Sequence, residues 1–244
     1  MLVYLGITIG SKSLTRAFAD KFRRCPPISD LIDYFTTNFT FILGYTWDHI
    51  KLVGSAIIIA ILIGVPLGIY CSVNRYAAST ILQIASIMMT IPSLALFGIM
   101  IPVLSLINEG IGTLPAVIAL VLYSQLPIIR NTYTAISNVD PDIRDAANGI
   151  GLTTFQRLFK VELPNAMPLI MAGIRTATVL NIGVGAIATL IGAGGLGGII
   201  YQGILRTNNT MILAGAISVA ILALIADLFL RLIENLFTPK GVKK

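Results

Sequence analysis

The chain is short of charge. Only 11% of its 244 residues are Asp, Glu, Lys or Arg, against about 25% in a soluble globular domain. So few charges cannot cover the surface of a water-soluble protein, which excludes a soluble enzyme or binding module. Their distribution is more telling than their number. Residues 52–70, 76–107, 110–129, 176–205 and 211–226 contain none. Each run supplies most or all of the roughly 20 apolar residues that carry a helix across a bilayer. The runs also lack the apolar–polar alternation of a membrane barrel strand. Helices are therefore expected, because a helix satisfies its own backbone polar groups in lipid.

Other scarcities narrow the function. Cys25 and Cys71 lie far apart without metal-ligand spacing, and both read as structural. His49 is the one histidine and has no partner in the sequence, so no metal site is expected. No GxxxxGK[ST] segment is present to cradle nucleotide phosphates, so the chain is not expected to hydrolyse ATP itself. The glycine-rich run IGAGGLGG at 191–198 is not such a loop, since no lysine follows it. A cleaved signal peptide is also not expected: Lys12, Arg16, Lys21, Arg23 and Arg24 come after the apolar start MLVYLGITIG, in the wrong order. The net charge of +6 reads as membrane topology, and no nucleic acid partner is expected.

Five spans are expected, at about 50–71, 79–107, 112–134, 167–190 and 210–232. The second is long, and Pro92 and Pro102 bend or break it. Basic residues near span ends set orientation. With loop 135–166 in the cytosol, Arg75, Arg130, Arg144, Arg157, Lys160 and Arg175 are inside or at the inner boundary. So is the tail with Arg231, Lys240, Lys243 and Lys244, whereas outer segments 108–111 and 192–209 carry only Arg206. Residues 31–47 have two readings: a sixth span, or an interfacial segment anchored by Tyr34, Phe35, Phe39, Phe41, Tyr45 and Trp47. The interfacial reading is preferred. The chain then divides into an N-terminal extension 1–48, cytosolic or interfacial, a transmembrane domain 49–235, and a basic cytosolic tail 236–244.

The cytosolic loop is more structured in sequence than a solvated connection needs to be. Asp140 caps a helix that starts at Pro141, and Asp142 and Asp145 sit near its positive end. Ala146 and Ala147 present a face with almost no side chain, where another protein can approach the backbone. Gly149 and Gly151 allow a sharp turn. Thr153 and Gln156 form a capping box for a second helix. Phe155, Leu158 and Phe159 make one apolar group, and Leu163 and Pro164 end the element. A partner-binding element is expected here.

DAANGIGLTTFQRLFKVELP resembles the EAA loop of the membrane subunits of ATP-binding-cassette importers. That pattern is Glu-Ala-Ala, three residues, Gly, nine residues, then Ile-x-Leu-Pro. Asp145, Ala146 and Ala147 fall on its start, Gly151 on the glycine, and Val161, Leu163 and Pro164 on its end. Asp145 for Glu and Val161 for Ile are the departures, and both keep charge sign or apolar character. TIPSLALFGIMIP at 90–102, GVPLG at 64–68 and MAGIRTATVLNIGVGAIATLIGAGGLGGII at 171–200 are similar to the osmoprotectant importers, which handle glycine betaine, carnitine and choline. The likeness covers about residues 49–235.

The resemblance implies an all-α integral membrane fold with the five-helix core of type I importers, to which residues 31–47 would add a sixth helix if they cross. It implies a partner: a cytosolic ATPase dimer that carries ATP and magnesium, with no cofactor on this chain. It also implies an extracellular or periplasmic substrate-binding protein and a second copy, or a homologous permease. In this likeness Asp145, Ala146, Ala147, Gly151, Val161, Leu163 and Pro164 couple the spans to the ATPase. Pro92, Ser93, Asn181, Gly194 and Gly195 are candidates for the path or its gate, with tight helix packing as the plainer role of the glycines. Asp227 has two readings, a charge for a cation in transit or a pair with Arg231, and the pair is preferred. A self-sufficient secondary transporter would need an ionisable site near mid-membrane, in which this sequence is poor. An amino acid as cargo stays open within the importer class.

Overall fold

The computed structural model describes residues 26–237. The expectations for the basic residues at 12–24, for Cys25 and for the tail beyond residue 237 lie outside the described residues. The described chain is helical. A short helix α1 (Ile28–Thr37) is followed by α2 (Phe39–Val73), α3 (Arg75–Thr90), α4 (Ser93–Ser105) and α5 (Thr113–Ser137). Two loop helices come next, α6 (Pro141–Gly149) and α7 (Thr154–Arg157). A π-helical turn (Leu158–Glu162) leads into α8 (Leu163–Ile187), which tightens into a 3₁₀ turn (Ala188–Ile191). Helices α9 (Gly197–Leu205) and α10 (Asn209–Phe237) complete the described chain.

Helix α2 settles how residues 31–47 are arranged. Its 35 residues rise about 52 Å, and the chain does not reverse between residues 39 and 73. Residues 31–47 are therefore not a helix of their own. Their first part is α1, and their last part is the opening turns of α2. The break falls at Asn38, which has left the helical region at φ −107° and ψ 20°. The aromatic residues divide accordingly. Tyr34, Phe35 and Tyr45 pack with Ile42 against Leu196, Ile199 and Met211, while Phe39, Phe41 and Trp47 stay exposed.

The second expected span is broken, as its prolines predict, and the break is sharp. Helices α3 and α4 meet at 99°. Pro92 disfavours helical backbone in the residue before it, and Ile91 is extended at φ −68° and ψ 126°. The break frees the Ile91 carbonyl, and the Tyr123 hydroxyl donates to it. Pro102, by contrast, stays inside α4. Counting this bent pair as one span, the described chain has five helical segments long and apolar enough to cross a membrane.

Helix α5 is the centre of the bundle, with Leu120, Ile128, Ile129 and Ile136 fully buried. Neighbours approach it through small residues, the usual device where lipid supplies no hydrophobic drive for helix association. A Cβ on Gly64 would lie 2.8 Å from Ile128 Cγ2, and one on Gly68 would lie 2.5 Å from Thr132 Cβ. GVPLG is thus the contact of α2 with α5. On the other side, a Cβ on Gly173 of α8 would lie 2.6 Å from Asn131 Cβ. The bundle has two distinct ends. One carries α6 and α7 (the loop end). The other carries α1, the 192–196 turn and α9 (the hairpin end), and there the Gly112 amide donates to the Ile191 carbonyl at 2.8 Å.

Candidate functional sites: the loop, the α8 anchors and the hairpin

The loop folds as its sequence asks. Asp140 Oδ1 accepts from the Asp142 amide at 2.9 Å, which caps α6, and Pro141 occupies its first turn. Helix α6 ends in a reverse turn. The Ile150 amide donates to Ala146 O at 3.2 Å, and the Gly151 amide to Asn148 O at 2.9 Å. Gly151 sits at φ +78°, where any side chain is strained. The Thr153–Gln156 capping box is present in both directions, at 3.0 and 3.3 Å.

Two expectations for the loop need correction. Leu163 and Pro164 do not end the element, because a continuous helical run extends from Thr154 to Ile191. Pro164 has no amide to give to the carbonyl four residues back, and its ring crowds that carbonyl. The preceding turn widens to π geometry instead, and the Leu163 amide donates to Leu158 O, five residues back. Nor are Ala146 and Ala147 one open face. Ala146 and Asp145 are exposed, but Ala147 is only 4% exposed and packs into its own chain. The exposed apolar groups of the loop are Ile143, Ile150, Phe155 and Phe159. The last two rings meet at a tilt of 42°, with centroids 4.5 Å apart. Val161, Leu163 and Pro164 are half-buried at the root of α8.

The widened turn also creates a charged hub that the sequence did not disclose. The Glu162 side chain is 7% exposed. Its Oε1 accepts from Arg157 Nε at 2.9 Å and pairs with Arg144 Nε at 3.2 Å. Arg157 Nη1 also donates to Asn148 Oδ1 at 2.7 Å, and Arg144 Nη2 to the Ile136 carbonyl. One carboxylate thus ties α6, α7 and the end of α5 to the start of α8.

Asp227 does not pair with Arg231. It accepts from Arg175 across the α8–α10 contact, from Nε at 3.0 Å and from Nη2 at 2.8 Å. Arg175 Nη1 donates to Glu234 Oε2 at 2.9 Å. The planar guanidinium satisfies two carboxylates at once, which a neighbour one turn along α10 does not match.

The path candidates occupy three places. Pro92 and Ser93 form the corner between α3 and α4. Asn181 is fully buried, and its Nδ2 donates to Ser124 Oγ at 2.7 Å and to Leu120 O at 3.1 Å on α5. Gly194 and Gly195 turn the hairpin at φ +77° and +82°, and the Thr189 hydroxyl donates to Gly194 O at 2.7 Å. These places are not gathered into one pocket. Sequence reasoning also missed His49, which is fully buried. Its Nε2 meets Ile182 O at 3.1 Å. A Cβ on Gly195 would come within 2.8 Å of its Nδ1, and one on Gly185 within 3.4 Å of its Nε2. His49 is the wedge between α8 and the hairpin. Beside it, Asp48, Lys51, Leu52, Ser55, Thr113, Ala193 and Gly194 line an open cavity of about 590 Å³. Among the described residues no group of three or more His, Cys, Asp or Glu is placed to hold a metal ion.

Five membrane-length segments, a capped loop at one end and a glycine hairpin at the other define a membrane transport subunit. Residues 60–239 match the family described as "Binding-protein-dependent transport system inner membrane component", and the chain belongs to that family. It is 48% identical to the osmoprotectant import permease protein OsmW of Salmonella typhimurium, over 88% of this chain and all of that one. It is 42% identical to the carnitine transport permease protein OpuCD of Listeria monocytogenes, over 89% and 96%. It is 40% identical to the choline transport system permease protein OpuBB of Bacillus subtilis, over 88% and 96%. Among solved structures, an inward-facing form of the MetNI methionine transporter superposes with a TM-score of 0.71 at 23% identity, over 82% of this chain and 97% of that one. At that identity the likeness concerns the fold. It identifies the bundle as the all-α core of a type I importer permease, and the family's own description states transport that depends on a binding protein.

Proposed function

We propose that the chain is the membrane-spanning permease of an ATP-driven importer for a quaternary amine of the glycine betaine, carnitine and choline class. The observation that carries this reading is the set of relatives at 40–48% identity whose names state osmoprotectant, carnitine and choline transport. Helix α6 is the coupling helix. Asp145 and Ala146 are exposed on it, Ala147 seats it, Gly151 turns the chain away from it, and Val161, Leu163 and Pro164 root it in α8. The Phe155–Phe159 pair, with Ile143 and Ile150, gives the ATPase an apolar surface to cover.

The loop end faces the cytosol and α10 ends there. Arg75, Arg144, Arg157, Lys160 and Arg231 lie toward it, and Lys51 and Arg206 toward the hairpin end, in the sense of the positive-inside rule. The substrate-binding protein then meets the hairpin end. Transmembrane residues fall between about 49 and 235, with the aromatic start of α2 and all of α1 at the outer interface. Two permeases, identical or homologous, enclose the path. Gly194 and Gly195 form its outer gate, Asn181 holds α8 on α5, and Pro92 and Ser93 set the corner that lets the bent pair line it.

The test is uptake of labelled glycine betaine, carnitine and choline by proteoliposomes holding the chain, its ATPase and its binding protein. ATP-dependent uptake of one of them is expected. ATP-driven uptake of an amino acid instead would refute the cargo and keep the machine. Uptake by the isolated chain without ATP would refute the machine.

A further inference from the structure

We infer that the cavity at the hairpin end is an entry site for a zwitterion, in which Lys51 receives the carboxylate and Asp48 the quaternary ammonium. The inference rests on the proposed function and adds residues and a discrimination to it.

The position is set by α2. Residues 48, 51, 52 and 55 recur at helical spacing and share one face. That face meets Thr113 at the start of α5 and the Ala193–Gly194 backbone of the hairpin, and together they line the cavity of about 590 Å³. This volume falls in the range of about 300–1,000 Å³ typical of small-molecule sites. Lys51 is also where charge ends on α2: residues 52–70 carry none. The cavity thus sits where the apolar part of the bundle begins, at the end opposite the coupling loop. A solute released there meets it before any apolar segment.

The chemistry is bipolar. Asp48 Oδ1 and Lys51 Nζ are 2.7 Å apart, and both side chains are 57% exposed. A pair this exposed contributes little stability, so opening it costs little. A glycine betaine or carnitine molecule carries the same two charges on one small frame. It can replace the internal pair with two external ones, placing its carboxylate on the ammonium of Lys51 and its trimethylammonium against Asp48. The remaining lining suits the rest of the molecule: Leu52 and Ala193 for methyl groups, the Thr113 hydroxyl for the carboxylate. Choline has the ammonium and no carboxylate, so it engages Asp48 and gains nothing from Lys51. The site is also tied to the gate. One residue along the helix from Asp48, His49 wedges against Gly195, so α2 holds the cavity wall and the hairpin from the same turn.

The test uses the whole complex in proteoliposomes, comparing uptake of glycine betaine and choline in the wild type, Lys51→Met and Lys51→Arg. Stimulation of ATPase activity by loaded binding protein is measured alongside. Lys51→Met is expected to lower the glycine betaine uptake rate at sub-saturating solute about fivefold, the upper end for a charge contact this exposed. Choline uptake stays within about twofold, ATPase stimulation is kept, and Lys51→Arg retains most glycine betaine uptake. Unchanged glycine betaine uptake in Lys51→Met overturns the entry site alone. Equal loss of both solutes, or lost ATPase stimulation, identifies a binding-protein docking surface and also overturns it. If the wild-type complex moves neither of these solutes nor carnitine, the cargo reading fails and the entry site fails with it.

Discussion

Glu162→Gln isolates the hub that ties the loop to the bundle. The substitution keeps the volume and one acceptor oxygen but removes the charge shared by Arg144 and Arg157. Breaking a fully buried ion pair from one side costs about 3–5 kcal/mol. Here the arginine side chains are 30% and 25% exposed, so water recovers part of the loss and about 1–3 kcal/mol remains. The loss falls on local opening of α6 and α7 rather than on the spans, because the hub touches the bundle only at the Ile136 carbonyl and the root of α8. At about 1.4 kcal/mol per factor of ten, amides in 142–152 should exchange roughly five- to a hundredfold faster. Hydrogen exchange read by mass spectrometry, on the permease without its ATPase so that docking does not mask the change, measures this directly. Amides in α5 and α10 should not change. Exchange in 142–152 within twofold of wild type would show that the two arginines are solvated without the carboxylate, and that something else holds the loop.

Three further outcomes follow from the packing. Ala146→Trp, at an exposed position, should lower ATPase retention in a pull-down about tenfold with the permease melting temperature unchanged; Ala147→Trp should lower both, since overfilling a packed site costs about 1–3 kcal/mol. Equal melting losses would refute the assignment of opposite faces. Gly195→Ala adds a Cβ 2.8 Å from His49 to a residue at φ +82°, whereas Gly194→Ala at φ +77° meets nothing within 4 Å. Both carry the left-handed strain of about 1–2 kcal/mol, so the first should lose more thermal stability than the second, and the reverse order would remove His49 as the wedge. Gly68→Ala should destabilise by about 1–3 kcal/mol through Thr132, and Thr132→Gly, which removes the Cβ that the new methyl would meet at 2.5 Å, should make the double variant less destabilised than the sum of the two single ones; a purely additive double variant would mean that α2 and α5 do not meet there.

What the sequence discloses depends on whether the signal is local. Charge-free runs give the spans, and the caps at Asp140 and Thr153 are set by residues two or three positions away, so both are legible. The break at Pro92 is legible for the same reason, although its angle is not. The Glu162 hub is hidden by register. In an α-helix, residues five apart lie about 140° from each other, so Arg157 and Glu162 do not read as a pair. They meet because the π turn ahead of Pro164 brings i and i+5 together. Arg175 and Asp227 lie 52 positions apart and His49 and Ile182 lie 133 apart, and single-sequence spacing carries no trace of either contact. Asp227 is the instructive case. The helical neighbour Arg231 fits the i,i+4 rule, but the inter-helix arginine offers two parallel donors.

The hidden contacts share one helix. From Thr154 to Ile191 the chain is a single helical run, and its attachments are polar and spaced along its length. Glu162 fixes it to the loop, Arg175 to α10, Asn181 to α5, and the Ile182 carbonyl to His49 on α2, before Thr189 holds Gly194 in the hairpin. In an apolar bundle such contacts have one geometry each, while side-chain packing alone tolerates sliding. Glu162 and Thr189 act at opposite ends, so a displacement of α6 is transmitted to α8 through the hub and reaches the hairpin through the helix itself. The middle attachments decide its form. Sliding α8 along its axis would break the Arg175, Asn181 and His49 contacts together, and at Asn181 and His49 it would strand fully buried polar groups. Movement of α8 together with α2, α5 and α10 breaks none of them. The fold therefore favours rocking of the bundle as a unit over sliding of one helix.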